Sequence, residues 1–230
     1  MREELLDLHR TFKLPHIGSE LSCLDIMIDL HFGILQKDDV FILSKGHAAY
    51  AFYAVMHERG LISDEIYATA GKNGSILAEH TTYPEYIVKT GSLGHGLPIG
   101  AGMALARKLG GQPGRIYVLC SDGELQEGSM LESMYQAARF KLDNLTTIID
   151  SNKWQAYDRT DDIFSMRNVE SIFKDSGWST IRIDGHDHHS LSEAASRKQT
   201  GPQLILADTV LGKGVDYMED RLESHYKPPR

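Results

Sequence analysis

The chain has 230 residues, 41% hydrophobic and 24% charged, with a formal net charge of −8 at pH 7. That length and apolar share suit one globular domain with a real core, and the negative balance argues against a nucleic-acid backbone as partner. Two cysteines, Cys23 and Cys120, make no disulfide framework and suit a reducing cytoplasm, and the charged start MREELLDLHR and the lack of a long apolar run suggest neither a signal peptide nor a membrane span.

Residues 3–13 carry Leu5, Leu6, Leu8 and Phe12 among charges, the spacing of an amphipathic helix. Lys13-Leu14-Pro15 breaks it. Residues 16–22 (HIGSELS) read as a turn, and 21–32 as an apolar helix that Gly33 is placed to end. His16 in that turn also fits a residue that simply caps the helix. Residues 39–43 (DVFIL) form a strand, and Ser44-Lys45-Gly46-His47-Ala48 is a tight turn into a helix reaching Arg59. Gly46 permits close backbone approach, and His47 stands near a helix N-terminus, where anions are met. A short helix is expected over 63–70. The polar, glycine-bearing stretch over 72–84, with His80 in it, is irregular, and long irregular segments commonly carry function. Thr90-Gly91-Ser92-Leu93-Gly94-His95-Gly96 leads into an Ala/Gly-rich helix over 97–109; such a loop lets backbone close on a ligand but is a weak signal by itself.

The centre of the chain is the stretch 115–155. RIYVLC is a strand that ends at Ser121-Asp122-Gly123, residues 128–140 are helix formers, and 145–149 is a second strand that ends at Asp150-Ser151-Asn152-Lys153. Strand, crossover helix and strand make two parallel neighbours. Both polar turns then leave the same carboxyl edge, where open α/β sheets bind ligands, and Asp122 and Asn152 face one point. A carboxylate and an amide oxygen are hard ligands that suit Mg²⁺ or Ca²⁺, and such an ion fills its remaining positions with water and phosphate oxygens. Asp-Gly and Asn turns are also ordinary turn chemistry. Further on, a helix is expected over 164–176, strands over 179–183 and 203–208, and a helix over 190–198. The turn DGHDHH over 184–189 fits zinc as well as a purely structural turn.

The Asp-Gly turn paired with Asn one βαβ unit later resembles the thiamine diphosphate motif. SDGELQEG, KLDNL and DSNKWQ together are similar to the transketolase version, with Ser121 where that family usually has Gly. SKGHAAYAFYAVMHERG is similar to the transketolase segment whose Gly-His meets the diphosphate. HIGSELS resembles His-Pro-Gly-Gly-Ser-Leu-Ser, with Ile17 for Pro and Ser19-Glu20 for Gly-Ser, and AEHTTYP falls where transketolases carry Gly-His-Pro-Glu. TGSLGHG has His95 in place of Gln, TVLGKGV resembles a family loop, and SHYKPP is similar to Trp-His-Gly-Lys-Ala-Pro, with Tyr226 for Gly.

The resemblance implies an α/β thiamine diphosphate-binding fold, a mainly parallel sheet with helices on both faces, in a single diphosphate-binding domain over 1–230. It implies thiamine diphosphate with Mg²⁺ or Ca²⁺, the metal on Asp122, Asn152 and the carbonyl of Trp154. Cofactor contacts fall on His47, on Gly91, Ser92 and Leu93, on Gly123 and Glu124, and on Asn152 and His225. His16, His80 and His225 line the reacting end, Glu127 sits at a subunit interface beside the partner's activating glutamate, and DGHD is a structural turn.

The activity implied is transfer of a two-carbon ketol unit from a ketose to an aldose. The resemblance reaches only the diphosphate-binding domain, and the sequence stops at Arg230. It therefore implies a separate C-terminal subunit carrying the pyrimidine domain, in an α₂β₂ assembly acting on a sugar phosphate. One alternative is a specialised transketolase for a branched or sulfonated sugar, which Ile17, His95 and Tyr226 would fit. Others are a deoxyxylulose-phosphate-synthase-like or 2-oxoacid-decarboxylating component and a non-catalytic regulatory subunit. SKGHA and SHYKPP favour transketolase.

Overall fold

Five parallel strands in the order β1-β2-β3-β5-β4 form the backbone of the computed structural model. It describes residues 1–80, 83, 88–165 and 167–230. Residues 81, 82 and 84 of the irregular stretch expected over 72–84 lie outside the described residues, as does 166 of the helix expected over 164–176. The strands are β1 (Val40–Leu43), β2 (Ile116–Ser121), β3 (Leu145–Ser151), β4 (Ser179–Asp184) and β5 (Gln203–Asp208). The helices are α1 (Arg2–Phe12), α2 (Ile17–Asp29), α3 (Ala49–Glu58), α4 (Asp64–Tyr67), α5 (Gly96–Leu109), α6 (Gly128–Arg139), α7 (Thr160–Ile163), α8 (Val169–Asp175), α9 (His188–Ser196) and α10 (Glu223–Tyr226).

Strand β2 shows why the sheet must be covered twice. All six of its residues are buried, the near-continuous apolar run of a parallel strand with helices on both faces. Tyr117 and Leu119 join Ile148, Ile205 and Ala207 in a core with residues of α1, α2, α3 and α9. Ile116, Val118 and Cys120 point the other way, into a core with Leu145, Ile149, Leu204 and residues of α5, α6 and α8. Gly100 of α5 lies so close to β2 that a Cβ there would stand 2.6 Å from Val118 Cγ2. In the β2–β3 register Ser121 is opposite Asp150, which brings the two polar turns out side by side. None of the described helices is long and apolar enough to cross a membrane.

Expected helix boundaries move in several places. Helix α2 starts at Ile17 rather than after a turn over 16–22. His16 alone makes the reversal, in the left-handed region at φ 68, with its N–H on the His225 carbonyl at 3.0 Å. The helix then runs past Asp29 through a π-helical turn, Leu30–Ile34, so Gly33 does not end it. The helix expected over 164–176 is α8, beginning only at Val169. Val169 and Phe173 are the residues that reach the core, whereas Phe164 is extended (φ −158) and solvent-exposed.

Candidate functional site

Asp122 leaves β2 and Asn152 leaves β3, and the backbone of Lys153 ties them together. Asp122 Oδ2 accepts from Lys153 N (3.0 Å) and Thr160 Oγ1 (2.8 Å), and its Oδ1 accepts from Gly123 N (2.9 Å). Lys153 takes the left-handed conformation, φ 69, to make this contact. The Asn152 amide is oriented by its neighbours: Nδ2 faces Ser22 Oγ (3.2 Å) and Asp150 Oδ2 (3.4 Å), and Oδ1 accepts from Trp154 N (3.0 Å). Trp154 and Arg159 form an antiparallel bridge closed by Thr160 N to Lys153 O and Gln155 N to Asp158 O. They are the non-hydrogen-bonded pair of that bridge, so the N–H and C=O of Trp154 point away from Arg159, on the Asn152 side. Arg159 stacks on the Trp154 ring at 4.0 Å and pairs with Asp220, which also accepts from Trp154 Nε1 (2.9 Å).

This set suits a hard cation. Asp122 is buried, its three partners are neutral donors, and burial pushes its carboxyl up to about 7. A cation beside it would restore the charged form. One carboxylate, one amide oxygen and one carbonyl leave positions for phosphate and water, the pattern of Mg²⁺. Among the described residues, no three or more His, Cys, Asp or Glu converge on a metal cage. The histidine-dense turn is structural: His186 Nδ1 meets Asp25 Oδ2 at 2.8 Å while Nε2 accepts from Val210 N at 3.0 Å. A cavity of about 280 Å³ adjoins Asp122 and is lined by Ser151, Lys153, Thr160, Arg182 and Asp208.

A buried network that sequence reasoning missed leads from this edge to the histidines. Lys45 and Asp150, both fully buried, form an ion pair. Asp150 also accepts from Ser22 Oγ (2.6 Å) and from the Thr209 hydroxyl, and Lys45 Nζ donates to the Ser19 carbonyl (2.9 Å). Burial works against the Lys45 charge, yet Asp150 outweighs it and holds the ammonium above its ordinary range. From Ser19 the hydroxyl reaches His225 Nδ1 at 3.4 Å.

His225 stands in a cluster with His16 (ring centroids 5.0 Å apart) and His47 (6.2 Å), and His16 and His47 are 5.4 Å apart. Tyr226 packs against His225 at 5.0 Å and hydrogen-bonds the Ala156 carbonyl, joining α10 to the loop after β3. Burial lowers all three imidazoles: His225 to about 4, His47 well below its ordinary value, and His16 below it too. The cluster is neutral at pH 7.

The structure brings His80 to Gly91, where a Cβ on that glycine would lie 3.1 Å from the His80 ring. Gly91, with φ 146, in turn abuts Gly46, where a Cβ would stand 3.0 Å from Gly91 N. Ser92 and Leu93 are exposed next to it. Glu124, expected among the cofactor contacts, has its side chain turned toward the glycine loop. Its buried carboxylate is taken up by Gly94 N (2.9 Å), Ser121 N (2.8 Å) and Ser44 Oγ, so it clamps the glycine loop to the ends of β1 and β2. Glu127 is exposed, with its stem against Gly94.

The family and the fold are shown by resemblance to known proteins. The family model described as "Transketolase, thiamine diphosphate binding domain" matches residues 34–229. The chain is 36% identical to one subunit of the apulose-4-phosphate transketolase of Phocaeicola vulgatus, covering 99% of this chain and 86% of that one. It is 33% identical to a 6-deoxy-6-sulfo-D-fructose transketolase subunit of a Clostridium species, over 91% of this chain and 82% of that one. A crystal structure of transketolase from Campylobacter jejuni superimposes with a TM-score of 0.90 at 29% identity, covering 99% of this chain but 39% of that chain.

Proposed function

This chain belongs to the transketolase family, and we propose that it is the N-terminal, diphosphate-binding subunit of a two-component enzyme that moves a two-carbon ketol unit from a ketose to an aldose. The observation that carries the reading is the unbroken path from Asp122 and Asn152 through Ser22, Asp150, Lys45 and Ser19 to the histidine cluster. A diphosphate end and a reacting end thus form one site.

In this reading Asp122, Asn152 and the Trp154 carbonyl hold Mg²⁺ or Ca²⁺. His47, Gly123, Asn152 and the loop Gly91, Ser92 and Leu93 cradle thiamine diphosphate, and Glu124 acts by fixing that loop. Thiamine diphosphate, when bound, supplies the electron sink for the transferred fragment. His16 and His225 are neutral, and since Nδ1 is buried in His16 and turned to Ser19 in His225, each meets a sugar oxygen through Nε2; His80 adds a third imidazole beside Gly91. Glu127 projects where a partner subunit can meet it.

The relatives from Phocaeicola vulgatus and Actinobacillus succinogenes are each named as one subunit of a transketolase, which supports a separate partner. For that partner we propose a C-terminal subunit with the pyrimidine domain in an α₂β₂ assembly. Two buried free thiols, Cys23 and Cys120, support a reducing cytoplasm. A second reading narrows the substrate to an unusual ketose. Relatives named for apulose 4-phosphate and 6-deoxy-6-sulfo-D-fructose favour it, and so does Tyr226 against His225.

The test is ketol transfer from xylulose 5-phosphate to ribose 5-phosphate with Mg²⁺ and thiamine diphosphate, by this chain alone and mixed with its candidate C-terminal subunit. Activity in the mixture alone is expected. Turnover by this chain alone would overturn the two-component reading. A mixture that binds cofactor but transfers nothing would move the assay to branched and sulfonated ketoses.

A further inference from the structure

Exposure rises across the histidine cluster toward Tyr226. His225 is 8% exposed, the His16 side chain 22% and Tyr226 47%, so the cluster meets solvent on the side where the tyrosine stands. The Tyr226 ring lies 5.0 Å from the His225 ring and 6.4 Å from that of His16. Its hydroxyl donates to the Ala156 carbonyl, two residues past Trp154 in the loop proposed to carry a metal ligand. The side chain therefore spans from the histidine end of the site to the metal end.

The ring is held at both ends. Helix α10 is seated tightly on α2, since a Cβ on Gly18 would stand 2.7 Å from the Ser224 carbonyl oxygen. Ser224 Oγ donates to the Met218 carbonyl at 2.7 Å, and the His225 carbonyl accepts from His16 N at 3.0 Å. At the far end the hydroxyl is tied to Ala156. Tyr226 is helical, so its backbone has no need of the glycine that the transketolase pattern carries at this position. Glycine would leave open the space that the ring fills.

The hydroxyl proton is spent on Ala156, so the side chain offers an entering sugar an aromatic surface and no donor. Its effect is then one of volume. We propose that Tyr226 is a specificity-determining residue that walls the sugar site on its open side and favours ketoses with a short or compact leaving portion over those with a longer polyol chain. The inference rests on the reading of the cluster as the reacting end, and it deepens that reading by giving the substrate a class. The two-carbon ketol unit is the same in every donor, so discrimination has to act on the part that leaves as the aldose. A fixed ring on the solvent side of His16 and His225 is placed to meet that part.

Two measurements test it. The first is modification of the full chain by diethyl pyrocarbonate at pH 7, followed by peptide mass spectrometry. His225 is neutral there, so its rate reports access rather than protonation. Tyr226→Gly should raise that rate several-fold, and an unchanged rate would overturn the wall. The second compares sedoheptulose 7-phosphate with xylulose 5-phosphate as donors for the assembled enzyme; both end in phosphate, and the first has two more carbinol carbons. The ratio of their kcat/KM values should rise about tenfold in Tyr226→Gly, the scale set by a small change of room in a substrate pocket. An unchanged ratio would overturn the specificity role, and a merely structural loss would lower both values together. Tyr226→Phe keeps the ring and should stay nearer to wild type; a phenylalanine variant that behaves as the glycine one would show that the ring is not the selecting group. A thermal melt checks the fold, and Tyr226→Ala takes the place of glycine if α10 is loosened. The modification needs neither partner nor turnover, so its failure is distinct from a failed ketol-transfer assay.

Discussion

Lys45→Met removes the cation from the centre of the buried network and leaves Asp150 behind. Both side chains are fully buried, and no solvent reaches the carboxylate to replace the lost ammonium. Removing one member of a buried ion pair costs about 3–5 kcal/mol, because the survivor is an uncompensated buried charge. Here the survivor keeps neutral donors from Ser22, Thr209 and Asn152, which places the expected loss toward about 3 kcal/mol. For a chain of this size that is a fall in Tm of about 6–12 °C. Asp150→Asn strands the lysine instead and should cost a comparable amount. The double variant Lys45→Met/Asp150→Asn removes both charges and should lose much less than the two singles added, a coupling of up to about 3 kcal/mol. Urea unfolding followed by far-UV circular dichroism gives all four stabilities. Single variants within about 1 kcal/mol of wild type, the ordinary range for an exposed pair, or strictly additive losses, would refute the claim that this pair is buried and coupled.

Two more outcomes follow from the same residues. Asp122→Asn keeps the shape of the turn but removes the one carboxylate of the proposed metal set, so calorimetry on the assembled enzyme should show loss of Mg²⁺-dependent thiamine diphosphate binding; retained binding would remove Asp122 from that role. His31 is buried between Phe41 and Phe52 with neither ring nitrogen hydrogen-bonded among the described residues, and burial depresses it to about 3. The unfolded chain takes up this proton below about pH 6.5 while the folded chain refuses it, so the wild type should lose about 1.4 kcal/mol more than His31→Leu between pH 8 and pH 5.5. Parallel pH dependences in urea unfolding would show that His31 is not buried as described.

The fold was legible because β1, β2, β3 and β5 are short runs of β-formers ended by polar turns, and the βαβ rule then sets β2 beside β3. Asp122 and Asn152 could be paired on that ground alone. Lys45 and Asp150 could not, since nothing local marks a charge as buried and their contact spans 105 residues. A trace existed all the same: both stand just past or at the carboxyl ends of parallel strands, on opposite sides of β2, with opposite charge. The direction of the Glu124 side chain is hidden for a related reason. Its place in SDGEL is beside the metal turn, but its side chain points back to Ser44 and Gly94, and sequence proximity says nothing about that direction. The helix boundary at Val169 was hidden because Phe164, an apolar residue at the head of the expected helix, stays exposed.

The distribution of charge bears on how an anion would be held. In a chain of net charge −8, clustered cations around the diphosphate would be the simplest way to overcome the background field. The lysine nearest the cluster is instead committed to Asp150, the imidazoles are neutral, and Arg159 is committed to Asp220. What the proposed site has left for the diphosphate is the metal, Lys153 beside Asp122 and the neutral His47 imidazole. In the proposed site affinity leans on the metal, and His16 and His225 stay free to address sugar oxygens instead of being spent on phosphate.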